Sequence, residues 1–322
     1  MIPLLVLLQA TLAIGVTGPA TSAEYLALRV AESHGYFAEE GVRVSLRTQR
    51  AEGPAAEALA RGRVDLAATS LDAALRLGHV AGAPPRLVFG LTRSAPVALL
   101  VPARPGESVK GLSDLTGRTV GIPAPGTPEH THLVSVLSRA GVPLHLVSIQ
   151  SLGEAGLVNA IESGRVAAGM IGEPWASRLI QDGTAVALVD LRDPAAASVA
   201  LGGPMLHAAV FARADARLGD AELIPLARAL LKAMNQLAKA SPEDLAARLG
   251  TGVAGAQEDW RRRLASANAV AIRDGWVTRE MLEASVDLVR RRSPIPTAVK
   301  LPRHLESLLL TEPLARALGR QK

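Results

Sequence analysis

Two stretches near the start of the chain leave few folds open: residues 24–46 (EYLALRVAESHGYFAEEGVRVSL) and residues 58–70 (ALARGRVDLAATS). Tyr25, Leu26, Leu28 and Val30 give a first helix one buried side, and Gly35 supplies a left-handed stop. Val42, Val44 and Leu46 then alternate with Arg43, Ser45 and Arg47, the period of a half-buried strand. Gly62 turns the chain into a short apolar strand at 64–68 that leaves through Thr69 and Ser70. Helix and strand following one another so tightly specify an α/β fold.

The same alternation continues through the first two thirds of the chain. It predicts strands at 12–16, 42–46, 64–68, 87–91, 97–101, 119–122, 144–149, 167–171, 185–189 and 206–211, in mostly parallel sheets. Helices are expected between them at 128–139, 153–163 and 174–181. From residue 220 onward the pattern is helical, at 223–238, 242–249, 256–265 and 278–290. Ser241 before Pro242, Glu243 and Asp244 has the form of an N-cap, a proline at the first helical position and acids in the first turn.

At 322 residues and 48% hydrophobic content, the chain has material for two cores, and only 2% of it is aromatic. It contains no cysteine, which excludes disulfides, thiolate metal sites, a thiol nucleophile and the acylated cysteine of a lipoprotein. The apolar run at 2–8 (IPLLVLL) before Gln9 and Ala10 reads as the remnant of a signal peptide that lacks its basic beginning. Residues 1–10 are therefore assigned to an export signal and the mature domain to residue 11 onward. The net charge of +5 is carried by arginines without interleaved aromatics or a recognition motif, so no nucleic acid partner is expected. There is no GxSxG, Walker loop or dinucleotide fingerprint, and no cofactor is expected.

Ligands of open α/β sheets sit beyond the carboxyl ends of strands, against helix N-termini. The candidate positions are Thr17 and Ser22 after the first strand, Thr69 and Ser70 after the third, and Thr92 and Ser94 after the fourth. Further along come Thr127 and His130 around a helix start at Pro128, then Glu173 and Trp175. The ordinary reading of a Ser or Thr before a helix is a cap worth about 1 kcal/mol. Their recurrence at strand exits is what favours a site. Thr127 and Ser70 suit an anion, Glu173 a polar or cationic group, and Tyr25 or Trp175 an apolar part. His130 and His132 are two apart on a helix and point to different faces, so no metal site is expected.

The order "GYFAEEGV", strand, "GRVDLA" resembles the opening of solute-binding proteins of bacterial ABC importers. The branch is the one serving nitrate, sulfonates, taurine and thiamine-pyrimidine precursors. The resemblance continues through LSDLTGRTVGIP (112–123) and AIESGRVAAGMIGEP (160–174), about two thirds of the chain. It implies the two-lobed type II periplasmic binding fold, with a hinge of two crossings near 92–96 and 194–204. Lobe one would comprise 11–93 and 195–322, and lobe two 94–194. It also implies a soluble, monomeric periplasmic protein that is not an enzyme. Such a protein closes on a small anionic or zwitterionic solute and meets the membrane only through an ABC permease and its ATPase. The rivals are an enzyme on the same fold acting on a thiamine or menaquinone precursor, with His130 or Glu173 as acid or base, and a regulator's sensor domain.

Overall fold

The computed structural model describes residues 11–104, 109–292 and 295–320, so the segment assigned to a signal remnant lies outside the described residues. Ten strands are present among the described residues. They are β1 (Leu12–Thr17), β2 (Val44–Gln49), β3 (Leu66–Ser70), β4 (Arg86–Thr92), β5 (Val97–Pro102), β6 (Thr119–Ile122), β7 (Ser148–Ser151), β8 (Ala168–Gly172), β9 (Ala185–Asp190) and β10 (Ala208–Ala212). They form two five-stranded sheets of order β2-β1-β3-β10-β4 and β7-β6-β8-β5-β9. The chain is thus the expected pair of α/β lobes joined by two crossings, from β4 to β5 and from β9 back to β10.

The sheets are mixed, where the sequence pattern predicts mostly parallel pairing. β1 pairs in parallel with β2 and β3, and β6 with β7 and β8, but β10 runs antiparallel to β3 and β4, and β5 to β8 and β9. The reversed strand in each sheet is the one that has just arrived from the other lobe. A crossing enters its new sheet from the hinge side, so the strand it delivers points away from the hinge.

Both faces of each sheet are covered, and the alternation along the strands shows it. Leu12, Ile14 and Val16 of β1 face one core with Val210 of β10, while Ala13, Ala209 and Phe211 face the core on the other side. In the second lobe Val97, Leu99 and Val101 face one core, and Ala98 and Leu100 the other. Strands buried on both faces read as continuous apolar runs, which is why they are recognisable in the sequence.

Four strands, β2, β3, β7 and β10, begin two or more residues later than the pattern predicts, and local bonds account for two of them. Val42 donates its N–H to the Phe37 carbonyl at 2.9 Å and plugs the turn after the helix Tyr36–Glu39, so β2 starts only at Val44. Leu144–Leu146 forms a 3-10 turn after Pro143, and β7 follows it. Gly35 takes φ 73° between the helices Leu26–Ser33 and Tyr36–Glu39, a conformation that suits glycine.

The C-terminal helices are not all placed on one lobe. The helix Asp220–Lys239 packs on Leu26–Ser33 in the first lobe. The helix Arg279–Arg292 touches Leu71–Leu77 of the first lobe and Pro128–Arg139 of the second, with Leu282 and Val286 in one core and Leu288 against the other. The helix Pro194–Leu201 belongs by packing to the second lobe, where Ala197 and Leu201 enter its core. Among the described residues no helix is long and apolar enough to cross a membrane.

Candidate functional site

The cleft between the lobes contains two chambers, and Pro128 lines both. The outer one, of about 780 Å³ and partly open to solvent, lies between the loop Pro19–Glu24 of the first lobe and Glu129 and Gly172–Trp175 of the second. The inner one lies between Glu52 and Ser70–Asp72, the residues Thr131 and His132, and the returning segment Met205–His207. Strand exits and helix starts therefore converge here from both lobes.

The chemistry of the cleft is dominated by carboxyl groups. Glu24 and Glu129 come from opposite lobes and both line the outer chamber, with Glu154 at the rim. Burial pushes the Glu24 carboxyl up to about 7, and the negative charges of Glu129 and Glu173 add to the rise. Burial raises Glu129 as well, against its own backbone N–H, which favours the charged form. Among the described residues, the only Lys or Arg lining this chamber is Arg263. Its guanidinium is buried and donates to the carbonyls of Thr21 (2.6 Å), Val253 (3.3 Å) and Ala254. Burial holds its pKa below the usual arginine range.

Glu52 lines the inner chamber. It accepts from the Tyr25 hydroxyl at 3.2 Å and from the Ser70 hydroxyl at 2.7 Å, and its carbonyl accepts from Thr69 at 3.1 Å. Burial is the first cause that lifts its carboxyl to about 8, with Glu24, Asp72 and Glu129 adding like-charge repulsion. Facing it across 3.9 Å is the Nε2 of His207, a buried ring nitrogen with no hydrogen-bond partner among the described residues. Burial and the neighbouring His132, whose ring lies edge-on at 5.8 Å, push His207 down to about 3. His132 directs its Nδ1 to the Pro128 carbonyl at 2.6 Å, so that nitrogen carries the proton.

The positions picked from the sequence divide into three groups. Ser22, Glu173 and Trp175 line the outer chamber and Ser70 the inner one. Tyr25 and Thr69 lie beneath, bonded to Glu52, and Thr17 donates to the Ala68 carbonyl at 2.9 Å. The remaining positions serve the crossings and loops. Thr92 ties the crossings together: its carbonyl accepts from His207 N–H at 2.9 Å and its hydroxyl from Ala208 N–H at 3.3 Å. Ser94 is buried in the first crossing, and its hydroxyl has no hydrogen-bond partner among the described residues. Thr127 turns its hydroxyl back to the Ala124 carbonyl at 2.9 Å, and His130 Nδ1 accepts from Gly126 N–H at 3.1 Å. Glu173 is engaged within its own lobe by Arg192 Nη1 at 2.9 Å and by the Ser177 hydroxyl at 2.7 Å.

Sequence reasoning expects neutral hydroxyls and few charges here, and it passes over Glu24, Glu52, Glu129, His207 and Arg263. The three glutamates all open helical turns, where an acid is ordinarily a partner for the helix dipole. Arg263 lies in the C-terminal third, where no motif is recognisable.

The profile of the NMT1/THI5 like family matches residues 22–244, well over half of the chain. The protein belongs to that family. Solved structures of the same fold include a protein of Bordetella bronchiseptica RB50, with a TM-score of 0.77, 24% identity and coverage of 97% of this chain and 98% of that one. The alkanesulfonate-binding protein SsuA from Xanthomonas axonopodis pv. citri bound to MOPS gives 0.68 and 19%, over 93% and 98%. The periplasmic nitrate-binding protein NrtA from Synechocystis PCC 6803 gives 0.63 and 14%, over 97% and 89%. No curated protein sequence matches this one.

Proposed function

We propose that the protein is the solute-binding component of an ABC importer and takes a small zwitterionic organic solute between its lobes. The importer role is supported by the family and by the fold it shares with sulfonate- and nitrate-binding proteins. The nature of the solute rests on one observation: Glu24 and Glu129, from opposite lobes, face a chamber whose one lining cation among the described residues is Arg263. Desolvated carboxyls are poor partners for nitrate or a bare sulfonate and good ones for an ammonium or amidinium group. Arg263, together with the N–H groups opening the helix Pro128–Arg139, serves the acidic end of the same molecule. A solute bridging Glu24 and Glu129 favours the closed lobes by its greater affinity for them.

In this reading the protein is exported to the periplasm as a soluble monomer and hands its solute to a permease and ATPase. An enzyme acting on a thiamine or menaquinone precursor is disfavoured by Glu173, whose carboxylate is already engaged by Arg192 and Ser177. The test is a thermal-shift comparison of taurine and an aminopyrimidine with ethanesulfonate and nitrate, since a ligand of the native state raises the melting temperature. Compounds carrying both charges or a protonated nitrogen should shift it, and their deaminated counterparts should not. Equal shifts with ethanesulfonate or nitrate would overturn the assignment.

A further inference from the structure

Beside the outer chamber, the lobes are joined by a set of polar contacts that no solute needs to touch. Arg178, on the second-lobe helix Trp175–Gln181, donates from Nη2 to both carboxylate oxygens of Asp259, at 2.9 and 2.9 Å. Asp259 stands on the helix Gln257–Val270, which packs on Ala23–Tyr25 and Asp220–Lys239 of the first lobe. One turn further along each helix, Arg262 Nε donates to Gln181 Oε1 at 2.6 Å. Arg262 Nη1 also lies 3.4 Å from Asp259 Oδ1, so the aspartate is held from both sides.

The spacing makes these contacts a single edge. Residues 175, 178 and 181 follow one face of one helix, and 259, 262 and 263 one face of the other. Trp175 and Arg263, at the ends of that edge, line the outer chamber. The Arg178 guanidinium stacks on the Trp175 ring at 4.7 Å, which holds it in position for Asp259. Arg178 and Asp259 side chains are 35% and 16% exposed, so the pair is half-buried and screened less than one on open surface.

We infer that Arg178–Asp259 and Gln181–Arg262 form a latch that holds the lobes closed whether or not solute is present. The latch raises the population of the closed form, and apparent affinity scales with that population. It thereby retains every solute alike, mainly by slowing departure. In an opened molecule Asp259 keeps Arg262 as partner and the half-exposed Arg178 is left to solvent, so the latch can be undone reversibly.

Solute-free protein is enough to test the latch, so its failure is separate from a failure of the proposed function. The chain has no cysteine, so V186C and N235C place two spin labels cleanly, at an exposed site on each lobe. Distances are measured on protein refolded to remove any carried-over small molecule. D259N and R178A should each move the closed-to-open ratio roughly threefold to tenfold toward open, the range of one partly buried ion pair. High salt should move the parent the same way. The charge-keeping R178K should stay nearer the parent than R178A, which separates a latch from damage to the helix. Unchanged distances in D259N and R178A, or R178K opening as far as R178A, would overturn it.

Discussion

Glu52 accepts hydrogen bonds from Tyr25 and Ser70 while its own carboxyl stays neutral near pH 7, and this ties stability to pH. Its native pKa of about 8 and that of Glu24, about 7, both lie above the ordinary glutamate value of 4.5. Between pH 4.5 and those values the unfolded chain gives up protons that the native state keeps, so stability falls as pH rises. His207 acts in the opposite sense: below pH 6.5 the unfolded chain takes up a proton that the native ring refuses until about 3. Solute-free stability should therefore peak between about pH 4.5 and 6.5 and decline toward pH 8. The Glu52→Gln protein should lose part of the alkaline decline, on the order of 1 kcal/mol per pH unit. Denaturant unfolding across that pH range measures it. A cationic solute group should draw the Glu24 pKa down and expel a proton. Titration calorimetry at about pH 6, in buffers of different ionisation enthalpy, should then show proton release that falls in Glu24→Gln. The sequence makes several of these side chains visible as strand-exit hydroxyls, but their common partner is 17 or 18 residues away from Thr69 and Ser70. A carboxyl at a helix start carries no mark of which other carboxyls will face it.

The helix start expected at Ser241 is present, with the Ser241 hydroxyl accepting from Asp244 N–H at 3.1 Å and donating to its carboxylate at 2.6 Å. Thr127 stands at the equivalent place before Pro128 but spends its hydroxyl on Ala124 and makes no cap bond. Replacement by alanine should separate the two: Ser241→Ala should lose about 1 kcal/mol and Thr127→Ala less, both read from denaturant unfolding. An equal loss at both would mean that the loop bond of Thr127 is worth as much as a true cap. Elements with strong local determinants, such as Pro128–Arg139 and Pro242–Leu249, match their expected bounds. β2 and β7 do not, because their first residues are taken by a turn bond and a 3-10 turn that hydrophobic alternation does not encode.

At the scale of the molecule, two lobes and two crossings were legible because nearly every strand is an apolar run bounded by turn residues. The orientation of β5 and β10 was not, since direction within a sheet depends on which side the chain arrives from. Lobe two is continuous in sequence, and with the helix Pro194–Leu201 on its core, residues 95–205 should fold cooperatively as a fragment. The fragment 11–205 should show that same transition and no second one, because it lacks β10. Hydrogen exchange distinguishes the cases, and protected β1 and β3 amides in 11–205 would refute the expectation. The placement of β10 between β3 and β4 has a consequence for synthesis. The residues made first have no completed sheet to join until residue 212 has emerged, with the whole second lobe made in between. The earliest part of the nascent chain is thus kept pliable the longest, and it stays narrow enough to be threaded through a pore while the ribosome is still well inside the gene.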